Sequence, residues 1–347
     1  KPGDTGSGVV VYGFDAGKIT PERILKLPLQ QLGLGRTTQL LNDKEGDKGI
    51  PFPAAILDVT VHGVERLLVA DNLSDDVLLL NPETGAIEHR FDLAENNAVP
   101  STYPIALALS KDGKRAFVAL WNASEIVELN LEANKVGRKL ALLKPASKVA
   151  PGTHPCAFAL TADGKTLYVA LSNRDAVAAV NVASGSFAVK GYFDTRLPGQ
   201  SYFGAEPVSV ALNADASRLY VANAASDAVA VIDTRKLTKE ARSKGMVEPV
   251  GFIPTEWIPM CVSFLQTPTG GMLYVATAKG KGTGPNGAPM RATGNSQGMH
   301  FLRPYTYIAS MLYGSLAAID ASTIDHSLQQ WTDAVVTDNR MKAAQET

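Results

Sequence analysis

Short apolar runs alternate with clusters of turn-forming residues along most of the chain, and a helical rhythm appears only after Asp320. Five segments coincide when aligned on a proline: Pro53-Ala-Ala-Ile-Leu57, Pro104-Ile-Ala-Leu-Ala108, Pro155-Cys-Ala-Phe-Ala159, Pro207-Val-Ser-Val-Ala211 and Pro259-Met-Cys-Val-Ser263, at intervals of 51, 51, 52 and 52 residues. Each proline opens a first strand. A tight turn follows, with Asp112-Gly113 and Asp163-Gly164 supplying residues that tolerate positive φ, and Asp215-Ala216 and Thr269-Gly270-Gly271 standing in the same place. The second strand reads Leu67–Ala70, Ala116–Ala119, Leu167–Ala170, Leu219–Ala222 and Leu273–Ala276, and leads to turns rich in Asn and Asp. The third strand reads Val77–Leu80, Ile126–Leu129, Val177–Val180 and Val229–Ile232, with a weaker fourth strand after a Gly or Asn turn such as Pro82–Gly85.

Four strands per unit with no helix between them predict an antiparallel sheet about 50 residues long, too small to cover both of its own faces. Units of equal length solve this by stacking around an axis, so the expected class is all-β, a β-propeller whose ring would close with six or seven blades. The propeller is expected over 1–322, with blades starting near 53, 104, 155, 207 and 259 and a loop insertion at 279–314. Val9–Asp15 resembles a third strand and Arg23–Pro28 a fourth, so the chain is expected to open half-way through a blade, and Ser315–Asp320 forms a further third strand. Beyond it, Ile324, Leu328, Trp331 and Val335 recur at helical spacing. A helix capped by Ser322 or Thr323 and ending near Arg340 is expected within 323–347.

Composition narrows the function classes. A hydrophobic fraction of 45%, 19% charged residues and zero mean hydropathy are ordinary for a soluble domain. A net charge of −1 removes the basic excess that a nucleic-acid or anionic-membrane surface needs. No apolar run of membrane-spanning length occurs. The start, Lys1-Pro-Gly-Asp-Thr-Gly6, has neither an initiating Met nor an apolar stretch, and reads as a mature or cropped terminus compatible with export to the periplasm or exterior. Cys156 and Cys261 lie in apolar strand patterns and are expected to be buried thiols.

The units resemble the YVTN-type propeller repeat through Leu167-Tyr-Val-Ala170, Leu219-Tyr-Val-Ala-Asn223 and Leu273-Tyr-Val-Ala276, and through turns such as Ser226–Asp233. A narrower likeness lies in Gly251-Phe-Ile-Pro-Thr-Glu-Trp-Ile-Pro259 followed by Lys279–Asn286, which is similar to the last blade of bacterial YncE-like propellers. That resemblance implies seven blades and an exported protein. In some of these proteins the propeller precedes a metal-dependent phosphoesterase domain of the alkaline phosphatase superfamily, which here would follow Thr347, and none of its metal-binding residues maps onto this chain.

Strand direction places the residues before each proline, the turns between strands two and three, and the long connections 29–52, 93–103, 143–154 and 191–206 at one end of the sheets. Phe52, Tyr103, His154, Glu206 and Ile258 are expected to ring the mouth of the channel, with Trp121, Tyr202, Phe203 and Trp257 nearby. An aromatic rim of this kind grips a ligand or partner, or plugs the channel. His154 and Glu206 lack the spacing of a metal pair, so no metal and no cofactor are expected. Asp71, Asn72, Asp75, Asn173 and Asp227 are expected to satisfy turn backbone rather than hold calcium. The glycine-rich segment Gly280–Gly287 lacks the order of a phosphate loop, and no nucleophile elbow or haem motif occurs. The primary expectation is a non-catalytic binding or scaffold propeller recognising a protein or envelope component; the alternatives are an accessory domain of a phosphoesterase and a propeller enzyme of lactonase or quinone-dependent dehydrogenase type.

Overall fold

The structure, a computed structural model, describes residues 5–33, 35–38, 47–143, 152–268, 270–280, 292–293, 300–301 and 312–341. Most of the 279–314 insertion, much of the 143–154 connection, part of 29–52 and Thr269 therefore lie outside the described residues. The chain divides into two compact units, 1–174 with 178–191, and 175–177 with 192–347.

Unit one opens with a hairpin, β1 (Gly8–Asp15) and β2 (Lys18–Lys26), at the expected third- and fourth-strand positions. Sheet I follows in the order β3 (Pro53–Val61), β4 (Val64–Asp71), β5 (Asp76–Leu80) and β6 (Ile87–Asp92). Sheet II repeats it with β7 (Pro104–Leu109), β8 (Arg115–Leu120), β9 (Glu125–Asn130) and β10 (Lys135–Ala141). Sheet III, β11 (Pro155–Leu160), β12 (Thr166–Leu171), β13 (Ala176–Asn181) and β14 (Ala188–Asp194), contains the boundary between the units. Second and third strands lose the two-residue alternation because both faces are covered: β5 is buried throughout, as is Ala116–Leu120. Leu68, Ala70, Val77 and Leu79 pack against Ala116, Val118, Leu120 and Val127, while Val69, Leu78 and Leu80 pack against Leu27 and Val9. Fourth strands are outer edges, and Lys135, Arg138 and Lys139 on exposed β10 discourage further strand pairing.

Unit two holds sheet IV, β15 (Pro207–Leu212), β16 (Arg218–Asn223), β17 (Ala228–Asp233) and β18 (Gly251–Pro254), and a three-stranded sheet of β19 (Trp257–Thr267), β20 (Gly270–Gly280) and β21 (Ser315–Asp320). Tyr220, Val229 and Val231 meet Val262, Leu273 and Val275, with Ile324 and Leu328 completing this core. Those last two belong to the terminal helix, Ala321–Asp338. Gly251 lets the helix approach: a Cβ there would lie 2.5 Å from Leu328 Cγ, and the Phe252 N–H donates to Thr332 Oγ1 at 2.9 Å.

Four details correct the sequence reading. A short helix, Lys239–Lys244, interrupts sheet IV between its third and fourth strands; it buries no residue and is fixed by its Thr238 cap. The terminal helix is capped by Asp320, whose carboxylate accepts from Ser322 N–H, two residues before the earlier of the expected caps. The fourth strand of sheet III runs to Asp194, shortening the connection expected from 191. Cys156 is only half-buried and Cys261 is exposed, because a register shift on either side of Pro259 turns both Met260 and Cys261 outward.

Candidate functional site

The residue before four of the five strand-one prolines is held in an unusual conformation. Tyr103, His154, Glu206 and Ile258 have φ of 51°, 51°, 56° and 60°. Left-handed backbone costs a non-glycine residue about 1–2 kcal/mol, and a following proline restricts the residue further. Local hydrogen bonds offset this. The Tyr103, His154 and Glu206 carbonyls accept from Trp121, Ser172 and Ala224 N–H, each at 3.0 Å. Phe52 makes the same bond to Asn72 N–H without the left-handed turn. Each strand then shifts register immediately after its proline, as between Pro104 and Ala106 or Pro207 and Ser209.

A side chain from the preceding sheet fastens each of these leader segments, and three of the four, Asp75, Ser124 and Asp175, are buried. The Asp75 carboxylate accepts from the N–H groups of Ser101, Thr102 (2.9 Å) and Tyr103 (3.0 Å), and from both hydroxyls of Ser101 and Thr102. Asp175 accepts from Gly204, Ala205 and Glu206 N–H at 2.7, 3.0 and 3.0 Å. Asp227 accepts from Ile258 N–H at 2.7 Å. At the remaining position Ser124 offers only a hydroxyl, to Thr153 N–H at 2.9 Å. The turn aspartates thus serve backbone, but that of the next leader rather than their own turn.

Asp71 does not follow this pattern. It ends β4 where Leu120, Leu171 and Asn223 stand in the other sheets, is fully buried, and has no hydrogen-bond partner for either carboxyl oxygen. It faces Asp76 directly in register, and Asp76 is bound by Ser74 Oγ at 2.9 Å and by Arg90 Nε. Burial, reinforced by the Asp76 charge and opposed by Arg90, pushes Asp71 up to about 8. Burial also pushes Asp76 up to about 6 despite Arg90. The expectation that Asp71 serves a turn fails because its side chain points into the sheet packing.

In unit one the leaders bring three rings together. The Trp121 and His154 rings stack with centroids 3.5 Å apart and planes 19° from parallel, and Tyr103 meets Trp121 edge-on at 6.1 Å. Gly152 closes over His154: a Cβ there would lie 3.1 Å from both His154 Cδ2 and Ser124 Oγ. Burial lowers the His154 pKa, favouring a neutral ring. Phe52, 54% exposed, stands at the equivalent leader of sheet I.

In unit two the leader aromatics are exposed to solvent. Tyr202, Phe203 and Trp257 are 71%, 57% and 52% exposed, Glu206 is exposed, and Lys279 Nζ lies 5.6 Å over the Trp257 ring. Beside the Tyr202 loop a cleft of about 290 Å³ is lined by Asp194, Arg196, Gln200, Glu248 and Phe252. Arg196 is held there by both oxygens of Asp194. This cleft was not anticipated; its one sequence signal is the Asp194-Thr-Arg196 spacing. Among the described residues no group of three or more His, Cys, Asp or Glu side chains is arranged to hold a metal, and no helix is long and apolar enough to cross a membrane.

No protein-family model matches the chain, and no curated protein matches it. Solved structures do. A candidate 6-phosphogluconolactonase of Bacteroides uniformis superposes with a TM-score of 0.56 at 14% identity, over 91% of this chain and 82% of that one. The periplasmic gluconolactonase of Pseudomonas aeruginosa gives 0.50 at 20% identity, over 72% and 64%. A streptogramin B lyase gives 0.45 at 14% identity over 65% of this chain, which spans 64% of the lyase. With successive four-stranded antiparallel sheets led by equivalent prolines, and with the Bacteroides uniformis and Pseudomonas aeruginosa structures as neighbours, the chain has the β-propeller fold.

Proposed function

We propose that this propeller is a non-catalytic binding module that recognises a protein partner through the aromatic side chains of its strand-one leaders. The observation that carries the reading is the exposure of Tyr202, Phe203 and Trp257, all within six residues of a strand-one proline whose leader is pinned from beneath. Each ring offers about 150–250 Å² for burial, and exposed rings on a rigid backbone make interface anchors at little ordering cost. Trp121, His154 and Tyr103, satisfied by one another, form the stiff part of the corresponding surface in unit one. Seven blades, export to the periplasm or exterior, and an accessory role beside a phosphoesterase domain belong to the same proposal.

The test is affinity capture from a periplasmic extract with wild-type protein and with the triple variant Tyr202→Ser, Phe203→Ser, Trp257→Ser. Proteins retained by the wild type at matched loading should be lost by the variant while its thermal unfolding stays unchanged. Equal capture by both would overturn the reading.

A lactonase is the second reading, favoured by the fold likeness to the two lactonase structures. It predicts acid release from glucono-1,5-lactone above the spontaneous rate in a pH-stat. A rate equal to the blank would remove it.

A further inference from the structure

The fastening of one leader is incomplete, and its siblings show what it lacks. Asp75 and Asp175 each place a carboxylate among three consecutive N–H groups, those of residues 101–103 and 204–206. The matching cradle at Gly152, Thr153 and His154 faces Ser124. Ser124 keeps the same left-handed turn, with φ of 59° against 53° for Asp75 and 47° for Asp175, so the backbone is arranged as for an aspartate. Its hydroxyl takes only the Thr153 N–H. Among the described residues the Gly152 and His154 N–H groups have no acceptor. The Thr153 hydroxyl, on a fully buried residue, has no partner either, whereas the equivalent Thr102 hydroxyl donates to Asp75 Oδ1 at 3.1 Å.

We propose that this cradle binds a carboxylate group brought by a ligand. Among the described residues, two N–H groups and one hydroxyl without acceptors lie on the segment equivalent to those that grip a carboxylate at both sibling sites, and a fully buried hydroxyl left unpaired costs about 1–3 kcal/mol. Ser124 and Thr153 are buried, while Gly152 and His154 are half-buried. The group therefore lies beneath the His154–Trp121 stack, and whatever carries the carboxylate rests against those rings. This site belongs to unit one and does not depend on the partner-binding reading of the exposed aromatics.

Formate and acetate are the probes. In 15N-labelled protein titrated at constant ionic strength against chloride, the Gly152, Thr153 and His154 amide resonances should shift saturably with millimolar affinity. Ser124→Asp, which supplies the carboxylate from the chain itself, should weaken that response at least tenfold. Thr153→Val, which keeps the fold's own fastening intact, should weaken it about fivefold to tenfold, the loss expected for one hydrogen bond. Absence of a saturable shift in the wild type, or equal affinity in the Thr153→Val protein, would overturn the proposal.

Discussion

Replacing Asp71 with Asn should change how the stability of unit one depends on pH. Asp71 is fully buried with no hydrogen-bond partner among the described residues, and its carboxyl is pushed from 3.8 up to about 8. Between those values the folded protein holds a proton there that the unfolded chain releases. Stability therefore falls as pH rises through the window and levels off above 8, the opposite of a salt-bridged aspartate. One proton corresponds to about 1.4 kcal/mol per pH unit, so between pH 5 and pH 8 the wild type should lose about 4 kcal/mol through this group. Asn cannot release a proton, so the stability difference between variant and wild type should shift by about 4 kcal/mol in the variant's favour over that range. Comparing this shift, rather than stability at one pH, cancels any steric or hydrogen-bonding cost of the amide. Asp76 titrates in the same direction in both proteins and largely drops out of the comparison. The measurement is urea unfolding at pH 5, 6, 7 and 8, followed by tryptophan fluorescence. Parallel pH profiles for the two proteins would refute the assignment of a buried neutral carboxyl to Asp71.

Three further outcomes are expected. Asp175→Ala should destabilise unit two by about 2–4 kcal/mol in urea unfolding, because three leader N–H groups lose one charged acceptor. Gly251→Ala should cost about 1–3 kcal/mol by pushing Leu328 and Thr332 off the sheet, seen as a lower melting temperature with an altered near-ultraviolet signal from Trp331. Because burial lowers the His154 pKa, protonation of its ring against Trp121 should set in on acidification only below pH 6.5, with fluorescence quenching that His154→Gln abolishes.

The prolines made the fold legible. Pro53, Pro104, Pro155 and Pro207 open their strands and Pro259 lies two residues inside its own, yet all five hold equivalent positions because each precedes the same register shift. The Val-Ala pairs of the second strands showed equally well, since a strand covered on both faces has room only for compact apolar side chains. The helix Lys239–Lys244 was hidden because every residue in it is solvated, leaving no apolar stripe to read. The leader residues themselves, Tyr103, His154, Glu206 and Ile258, could be found by counting back from the prolines. Their fastening could not, because its donors are main-chain N–H groups that look alike in any sequence. Asp71 and Asp75 sit four positions apart with the same chemistry, and only strand register separates the stranded carboxyl from the well-served one.

The fastenings from the preceding sheets carry one more consequence. Because each grasps main-chain N–H groups, the anchorage survives a change of side chain in the segment it holds. Ser-Thr-Tyr, Gly-Thr-His and Gly-Ala-Glu already occupy equivalent stations at 101–103, 152–154 and 204–206. Selection is accordingly free to rewrite the outward vocabulary of these segments, one position at a time, without reopening the question of whether the molecule folds.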